Sequence, residues 1–335
     1  MKIEIISKLI EDINKNTIEN IKIMEVCGTH TQQIANLGLK SLLSERIQLI
    51  SGPGCPICVT NEDYIDKAIH ILKNNPVIIG TFGDLIRVRG SEESLFDVKS
   101  NDYHVMVINS PLEMIKLAEQ NKHKTFVLLA VGFETTAPVV ALAIKTAADR
   151  RISNLFFLTS LKLMSPILHY ILKKKHNSIN GFICPGHVAS IKGSNYFRFI
   201  SELYQKPAVI TGFEALDIVT GIHFLTKEII CNEYHFENYY KRCVSEKGNI
   251  TANRLIEDVF DCSDEIWRGI GKVDNSSLVI NENYEFLDAS KVYNIDLKIK
   301  YRKKTNCQCS DILLGIKSPI ECKLFSNRCN PKTPQ

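Results

Sequence analysis

The stretch FVLLAVGFETT at residues 126–136 decides the fold class of this protein. Its first six residues are all apolar, which predicts a strand that is buried on both faces of a sheet. A loop that contains glycine and polar residues follows, and residues 139–149 then have the apolar spacing of an amphipathic helix. A buried strand, a short loop and a helix make up the repeating unit of parallel α/β sheets.

The same unit recurs along most of the chain. Amphipathic helical segments, such as residues 62–73, separate short apolar runs that we predict to be strands. Eight such runs lie at residues 21–26, 47–51, 77–81, 105–109, 126–131, 155–159, 181–184 and 208–211. We therefore expect an α/β fold with two similar parallel-sheet domains that flank a cleft.

The alternation of predicted strands and helices ends after about residue 222, where polar and aromatic residues become more frequent. This change predicts a smaller, irregular and helical C-terminal domain. We expect the first α/β domain at residues 19–122, the second at 123–222 and the third at 223–335, with residues 1–18 as a candidate addition to the third.

Composition excludes several classes of protein. The 335 residues carry a net charge of +4 and no long run of Lys and Arg, so neither nucleic acid nor an anionic membrane is indicated as a partner. No apolar run approaches the roughly 18 residues of a membrane span. The first 16 residues have the pattern of an amphipathic helix rather than a signal peptide. We expect a cytoplasmic protein.

Eleven cysteines are the unusual feature of the composition. A cytoplasmic compartment keeps thiols reduced, so a structural disulfide framework is disfavoured. Scattered cysteines mostly act as small buried hydrophobes, and four fit that description: Cys184, Cys231, Cys243 and Cys262. The others either follow predicted strands or crowd the C-terminus.

Cys27 and His30 directly follow the first predicted strand. Ligands in open parallel sheets bind at the carboxyl ends of the strands. A thiolate and an imidazole three residues apart could bind a transition metal such as iron, zinc or copper. The alternative interpretation is a buried cysteine beside a capping Thr29 and a surface histidine.

Cys55-Pro56-Ile57-Cys58 follows the second predicted strand. Such a turn between a strand and a helix is typical of thioredoxin-like dithiols, which open and close as a disulfide and carry two electrons. Half of a four-thiolate zinc site is a rival interpretation, although no second Cys-x-x-Cys follows in the sequence. The third interpretation is that the two cysteines stand at this spacing by chance.

Four cysteines crowd the last part of the chain: Cys307, Cys309, Cys322 and Cys329. Four thiolates can hold a tetrahedral zinc or a 4Fe–4S cluster. The intervals of two, thirteen and seven residues lack the paired knuckles of a structural zinc site, which favours the iron–sulfur cluster.

Other polar residues also follow predicted strands. Glu134, Thr135 and Thr136 follow the fifth, where they are candidates either for a functional role or for capping a helix. His187 follows the seventh and is a candidate proton carrier or ligand, with a structural histidine as the alternative. We find no P-loop and no G-x-G-x-x-G, so nucleotide binding is not indicated.

The order of these motifs resembles the HypD family of hydrogenase maturation factors. Eight separate stretches carry the resemblance, which extends from about residue 20 to the C-terminus. They are residues 24–31, 52–60, 81–84 with Arg87, 132–138, 185–188, 212–217, 267–271 and 307–329.

The resemblance implies a scaffold that assembles the iron of nickel–iron hydrogenase with its cyanide and carbon monoxide ligands. It also implies a 4Fe–4S cluster in the third domain, the small chaperone HypC as a partner and HypE as the source of cyanide. Cys27 would ligate the iron with His30 close by, and Cys55 and Cys58 would be the redox dithiol. The residues implied to line the cleft are Glu134, Thr135, Thr136 and His187, and the implied cluster ligands are Cys309, Cys322 and Cys329.

The sequence departs from the family pattern in two places. Ser310 follows Cys309, where the family commonly has Cys-Gly. The family also usually continues past residue 331 to a further cysteine, whereas this sequence stops at Gln335. Three interpretations remain open: Cys307 replaces the missing ligand, the sequence is truncated, or the cluster is lost or labile.

Three hypotheses of function therefore compete. The first is a redox-active metallocluster assembly scaffold rather than a conventional turnover enzyme. The second is a thiol-disulfide oxidoreductase with Cys55 and Cys58 as its active site. The third is a zinc-stabilised binding module in which the C-terminal thiolates are purely structural.

Overall fold

Two mainly parallel sheets and the helices around them make up the fold, and they confirm the predicted α/β class. The computed structural model describes residues 2–99, 103–175, 177–295 and 307–330. The strands are β1 (Ile21–Glu25), β2 (Ile47–Ser51), β3 (Val77–Thr81), β4 (Val105–Val107), β5 (Thr125–Gly132), β6 (Leu155–Lys162), β7 (Gly181–Cys184), β8 (Ala208–Ile210), β9 (Phe236–Asn238), β10 (Phe260–Trp267) and β11 (Gly271–Ile280).

Fifteen α-helices lie among the described residues. They are α1 (Lys2–Asn16), α2 (Gly28–Asn36), α3 (Leu39–Leu42), α4 (Pro56–Val59), α5 (Glu62–Asn74), α6 (Leu95–Lys99), α7 (Pro111–Gln120), α8 (Ala137–Asp149), α9 (Met164–Leu172), α10 (Gly186–Lys192), α11 (Phe199–Tyr204), α12 (Ala215–Cys231), α13 (Ile250–Val259), α14 (Ala289–Val292) and α15 (Cys309–Leu313). Three short 3-10 helices are Ser194–Phe197, Glu282–Leu287 and Pro319–Glu321. None of the described helices has the length and hydropathy needed to cross a membrane.

The chain divides into two units, and each contains one sheet. The first unit comprises Met1–Cys55, Ile167–Ile250 and Cys309–Pro319. Its strand order is β2-β1-β7-β8-β9, and every neighbouring pair is parallel. Its core lies between the sheet and helices α1 and α12, with Ile13, Ile23 and Ile222 among the buried side chains.

The second unit comprises Pro56–Pro166, Thr251–Gln308 and Ile320–Gln335. Its strand order is β10-β11-β6-β5-β3-β4. Strands β3 to β6 are parallel, whereas the hairpin β10–β11 joins β6 in antiparallel orientation. Ile65, Val127 and Leu129 belong to the core of this unit.

These units do not follow the contiguous ranges 19–122, 123–222 and 223–335 that the sequence suggested. β1 pairs with both β2 and β7, so the first sheet combines strands from widely separated parts of the chain. The hairpin β10–β11, which the sequence analysis did not predict, completes the second sheet instead of belonging to a separate domain. Apolar periodicity predicts where a strand is, but hydrogen bonds to neighbours that are distant in sequence determine which sheet it joins.

Candidate functional site

Four loops follow the carboxyl ends of strands in the first unit, as the sequence predicted. Cys27 follows β1, and the residues up to Cys55 follow β2. His187 lies at the start of α10 just beyond β7, and Phe213 follows β8. Neighbouring parallel strands present their carboxyl ends along one edge of the sheet. The first unit therefore places these loops side by side.

Cys27 occupies the N-cap position of α2, with extended backbone and a side chain that makes no capping hydrogen bond. The residue is 9% exposed. Gly54 packs directly against it: a Cβ atom at Gly54 would lie 2.8 Å from Cys27 Cα and 2.8 Å from Gly28 N. Only glycine permits this approach, so the loop after β2 is packed against the Cys27 backbone.

Glu25 anchors the same region from inside the sheet, and the sequence analysis missed it. The Thr31 hydroxyl donates to both carboxylate oxygens at 2.8 Å, and the Ser51 hydroxyl donates to Oε1 at 2.6 Å. Burial raises the pKa of Glu25 to about 7. The carboxylate thus connects the ends of β1 and β2 with the first turns of α2. A carboxylate within an otherwise apolar strand is the feature of the sequence from which this role could have been predicted.

His30 is completely buried, which rules out the surface histidine of the alternative interpretation. Its Nε2 lies 3.0 Å from the Gly212 carbonyl oxygen and 3.1 Å from the Thr211 hydroxyl. A carbonyl oxygen only accepts, so Nε2 carries the proton and Nδ1 presents a lone pair. Among the described residues, Nδ1 has no hydrogen-bond partner.

Burial also decides the charge of His30. It lowers the pKa of the imidazole to about 4, so the ring is neutral at pH 7. A neutral histidine whose Nε2–H is held by a backbone carbonyl is the usual form of a metal-binding imidazole, because the second nitrogen is then fixed in orientation. His30 thus has the protonation state that a ligand needs.

Phe213 joins His30 to His187. The Phe213 ring centroid lies 4.6 Å from that of His30 and 4.1 Å from that of His187. Tyr240 packs edge-on against Phe213 at 5.9 Å. His187 is exposed, although partial burial of its ring lowers its pKa. The structure therefore brings together two of the predicted histidines through an aromatic ring that the sequence analysis did not assign.

Glu134, Thr135 and Thr136 lie in the second unit, after β5. Glu134 is completely buried, and its Oε1 accepts a 2.7 Å hydrogen bond from the backbone N–H of Met164 at the start of α9. Thr135 is exposed. Thr136 occupies the N-cap position of α8, but its side chain makes no capping hydrogen bond. Thr136 therefore does not cap α8, whereas the Glu134 carboxylate binds the first backbone N–H of α9.

The Cys-x-x-Cys segment lies where the chain passes from the first unit to the second. Cys55 is half-buried, and Cys58 is exposed within the short helix α4. The Thr60 hydroxyl donates to the Pro56 carbonyl at 2.8 Å and closes this turn. Ile57 packs against the core of the second unit.

The C-terminal cysteines belong to both units. Cys309 begins α15 in the first unit, whereas Cys307, Cys322 and Cys329 belong to the second. Backbone hydrogen bonds from Phe325 to the Cys322 carbonyl and from Cys329 to the Leu324 carbonyl, at 2.9 and 2.8 Å, close a loop over residues 322–329. Cys322 and Cys329 are at the two ends of this loop. Residues 331–335, where the sequence departs from the family pattern, lie outside the described residues.

A further group of ligand-type side chains was missed by the sequence analysis. Among the described residues, Glu228, Glu233 and His235 have ligand atoms within 4.8 Å of one another. His235 Nδ1 lies 2.8 Å from a Glu228 oxygen and 3.8 Å from a Glu233 oxygen. These contacts pair the histidine with carboxylates at the surface after α12, a role that needs no ion.

The protein is thus an α/β protein with a buried cysteine and histidine after one strand of a parallel sheet, a Cys-x-x-Cys turn and several C-terminal thiols. These side chains are of the types that bind transition metals and exchange disulfides. The family model HypD, described as "Hydrogenase formation hypA family", matches residues 4–335. The chain therefore belongs to the HypD family.

Similar proteins have names that agree with this assignment. The chain is 37% identical to the putative hydrogenase expression/formation protein of Methanocaldococcus jannaschii, over 98% of this chain and 92% of the relative. It is 36% identical to the hydrogenase maturation factor HypD of Escherichia coli, over 93% of this chain and 84% of the relative. Identity to the hydrogenase maturation factor HypD1 of Bradyrhizobium diazoefficiens is 38%, with the same coverage.

Proposed function

We propose that this protein is a maturation scaffold for nickel–iron hydrogenase, which binds iron at Cys27 and His30 while the cyanide and carbon monoxide ligands are installed. The observation that carries the proposal is the neutral, buried His30 with an uncommitted Nδ1 lone pair, three residues after Cys27. Cys27 is the N-cap of α2 and His30 is its third residue. Residues three positions apart at the start of a helix lie within one turn of each other, which is the spacing that a single ion held by both side chains would need.

The chemistry of the donors suits this substrate. Iron with cyanide and carbon monoxide is a soft ferrous centre, for which thiolate and imidazole are appropriate ligands. Cys27 is 9% exposed and His30 is completely buried, so little water reaches the two proposed ligands. The Gly212 carbonyl fixes the His30 ring, and Glu25 holds the turn that carries Cys27.

Cys55 and Cys58 have the spacing of a redox dithiol in this proposal. When the two thiols form a disulfide, they release two protons and two electrons to an acceptor. The exposure of Cys58 and the half-exposure of Cys55 give such an acceptor access to the sulfurs. Glu134, Thr135, Thr136 and His187 would then act on the small ligands or on a partner protein, without ligating the metal itself.

A 4Fe–4S cluster is the proposed resident cofactor. Backbone hydrogen bonds close the 322–329 loop that carries Cys322 and Cys329 at its ends, and cysteine thiolates are the ligands that hold such clusters. Cys309 would be the third ligand and Cys307 the fourth. A bound cluster would supply single electrons, whereas the dithiol exchanges two.

The proposed partners are a small chaperone of the HypC type and a cyanide donor of the HypE type, in the cytoplasm. Support for them comes from the family to which the chain belongs and from relatives named hydrogenase maturation factors. Pull-down of a purified HypC-type protein by this chain, with and without ferrous iron, tests the first partnership.

Metal binding to the isolated chain tests the site itself. The other proposed thiolate donors would bind Co²⁺ themselves, so the test uses a background with serine in place of Cys55, Cys58, Cys307, Cys309, Cys322 and Cys329. In that background we expect anaerobic Co²⁺, as a spectroscopic substitute for Fe²⁺, to give a thiolate-to-metal charge-transfer band that Cys27→Ser abolishes. Cys262→Ser is the matched control, because Cys262 is an exposed cysteine outside the site. Retention of the band in Cys27→Ser would exclude Cys27 as the ligand. Iron and sulfide analysis of the anaerobically purified protein tests the cluster separately.

The exposed position of Cys58 also keeps a second function in consideration, that of a thiol-disulfide oxidoreductase. This alternative predicts turnover of a dithiol substrate without iron, and equal turnover in Cys27→Ser. A zinc-stabilised binding module predicts instead one bound zinc and a colourless protein.

A further inference from the structure

The Trp267–Gly271 segment matches a motif of the family, but none of the roles above uses it. Trp267 is the last residue of β10 and is completely buried. Its backbone forms an antiparallel bridge with Thr60, and the Arg268 N–H donates to the Val59 carbonyl at 2.9 Å. The segment is therefore hydrogen-bonded to Val59 and paired with Thr60, the two residues that follow Cys58.

These backbone contacts immobilise the turn of α4. Thr60 is completely buried, and its hydroxyl closes the turn by donating to the Pro56 carbonyl at 2.8 Å. The first residue of the turn is thus connected through Thr60 to the bridge with Trp267. Cys58 lies between these two attachment points, so its backbone is held against the second unit although its side chain is exposed.

The Trp267 side chain extends the connection to the loop after β5. Its indole N–H donates to the Ser276 hydroxyl at 2.8 Å, and its ring lies 6.1 Å from that of Phe133. Phe133 immediately precedes Glu134. The buried Lys162 ammonium lies 5.8 Å from the centroid of the same indole. Trp267 therefore connects the α4 turn, through its backbone, with Phe133 and Lys162, through its side chain.

Arg268 fixes the other side of the segment. Its Nε lies 3.5 Å from a Glu62 carboxylate oxygen in the first turn of α5, and its Nη2 donates to the Arg89 carbonyl at 3.2 Å. The guanidinium is almost completely buried. These contacts hold the start of α5, three residues after the α4 turn ends.

We propose that Trp267 and Arg268 are positioning residues for the Cys55–Cys58 dithiol and set its redox equilibrium. The proposal rests on the redox role proposed above for this pair. A disulfide requires a narrow range of Cβ separations and torsion angles. A turn held at both ends keeps the Cys58 backbone in one arrangement, whereas a loosened turn samples many in which the bond cannot form.

The test is the equilibrium of the full-length protein with glutathione under anaerobic conditions. In the exchange, both thiols are oxidised to one disulfide while one glutathione disulfide is reduced to two glutathione thiols. Site-resolved labelling and peptide mass analysis report the state of Cys55 and Cys58 apart from the other nine cysteines. We expect Trp267→Leu to lower the equilibrium constant for disulfide formation about tenfold.

The control is Phe157→Leu, which truncates another completely buried aromatic in the second unit. Phe157 lies on β6 and faces the side of the sheet opposite to Lys162, because side chains alternate along a strand. We expect the equilibrium constant for disulfide formation in Phe157→Leu to stay within about twofold of the wild-type value. Equal constants in Trp267→Leu and the wild type would overturn the inference.

A milder variant keeps the test valid if Trp267→Leu does not fold. Trp267→Phe retains an aromatic ring but loses the donor to Ser276, so we expect an intermediate change of about threefold. Hydrogen exchange of residues 56–61 should rise in the same variant and not in Phe157→Leu. If the wild-type pair forms no disulfide at any glutathione ratio, the redox role of the dithiol fails. If the wild-type disulfide does form and the Trp267 variants have the same equilibrium constant, the redox role stands and Trp267 has no positioning role.

Discussion

The buried polar residues at the carboxyl ends of the strands make different contacts in the two sheets. At the edge of the first sheet, His30 is buried with a lone pair that no described residue uses. At the corresponding edge of the second sheet, Glu134 Oε1 accepts from the Met164 backbone N–H, and Lys162 donates to the Ser160 hydroxyl at 2.7 Å beside Glu265. The first edge therefore offers the His30 lone pair to a ligand, whereas these two contacts at the second edge hold neighbouring segments of the second unit in position.

Among these predictions, loss of His30 is expected to have the largest effect, which is on metal binding. It tests whether the two sheet edges differ in their capacity to hold a ligand. His30→Ala should weaken anaerobic Co²⁺ binding about 100-fold, because the imidazole is one of two proposed protein ligands. Glu134→Gln should leave the dissociation constant within about twofold, because Glu134 is bound to α9. Titration followed by the charge-transfer band measures both, and equal losses in the two variants would contradict the comparison.

The packing of the first edge is tested by glycine substitutions. A methyl group at Gly54 would lie 2.8 Å from backbone atoms of Cys27 and Gly28, so Gly54→Ala should cost about 2 to 3 kcal/mol in the free energy of unfolding. Gly28→Ala is the matched control, since its nearest neighbour is 3.6 Å away, an ordinary contact. Urea unfolding compares the two, and a control as destabilised as Gly54→Ala would refute the steric explanation.

The raised pKa of Glu25 predicts that the free energy of unfolding depends on pH. Burial raises its pKa in the folded protein to about 7, above the roughly 4.3 of an unfolded chain. The protonated carboxyl therefore favours folding at low pH, and this contribution is lost as the pH rises through 7. The wild type should lose about 2 kcal/mol between pH 5 and pH 8 relative to Glu25→Gln. Unfolding of both proteins across this range measures the difference, and parallel curves would contradict the prediction.

The smallest effect is expected at Lys162. The double variant Lys162→Met, Glu265→Leu replaces both partners of the Lys162–Glu265 ion pair with apolar side chains of similar size, and such paired exchanges are often neutral or stabilising. We expect a change below about 1 kcal/mol in the free energy of unfolding, with Co²⁺ binding unaffected. Weaker Co²⁺ binding in this variant would mean that the second edge also takes part in holding the ligand.

The cysteine motifs show how far sequence reasoning reaches. The spacing of Cys27 and His30 predicted a possible metal pair, but both a ligand and a surface histidine were compatible with it. Only the contact with Gly212, a residue 182 positions away, decides which nitrogen carries the proton. Glu25 and Phe213 were missed for the same reason, because their roles come from contacts rather than from local pattern.

By itself, the sequence determined the α/β class and the strand positions from β1 to β8, because burial on both faces leaves continuous apolar runs. It also determined the order of the cysteine and histidine motifs that mark the HypD family. Tertiary structure alone decided which strands share a sheet, the tautomer of His30 and the contacts of Trp267 with the α4 turn. These features depend on hydrogen bonds and packing between distant residues, whose partners no local pattern specifies.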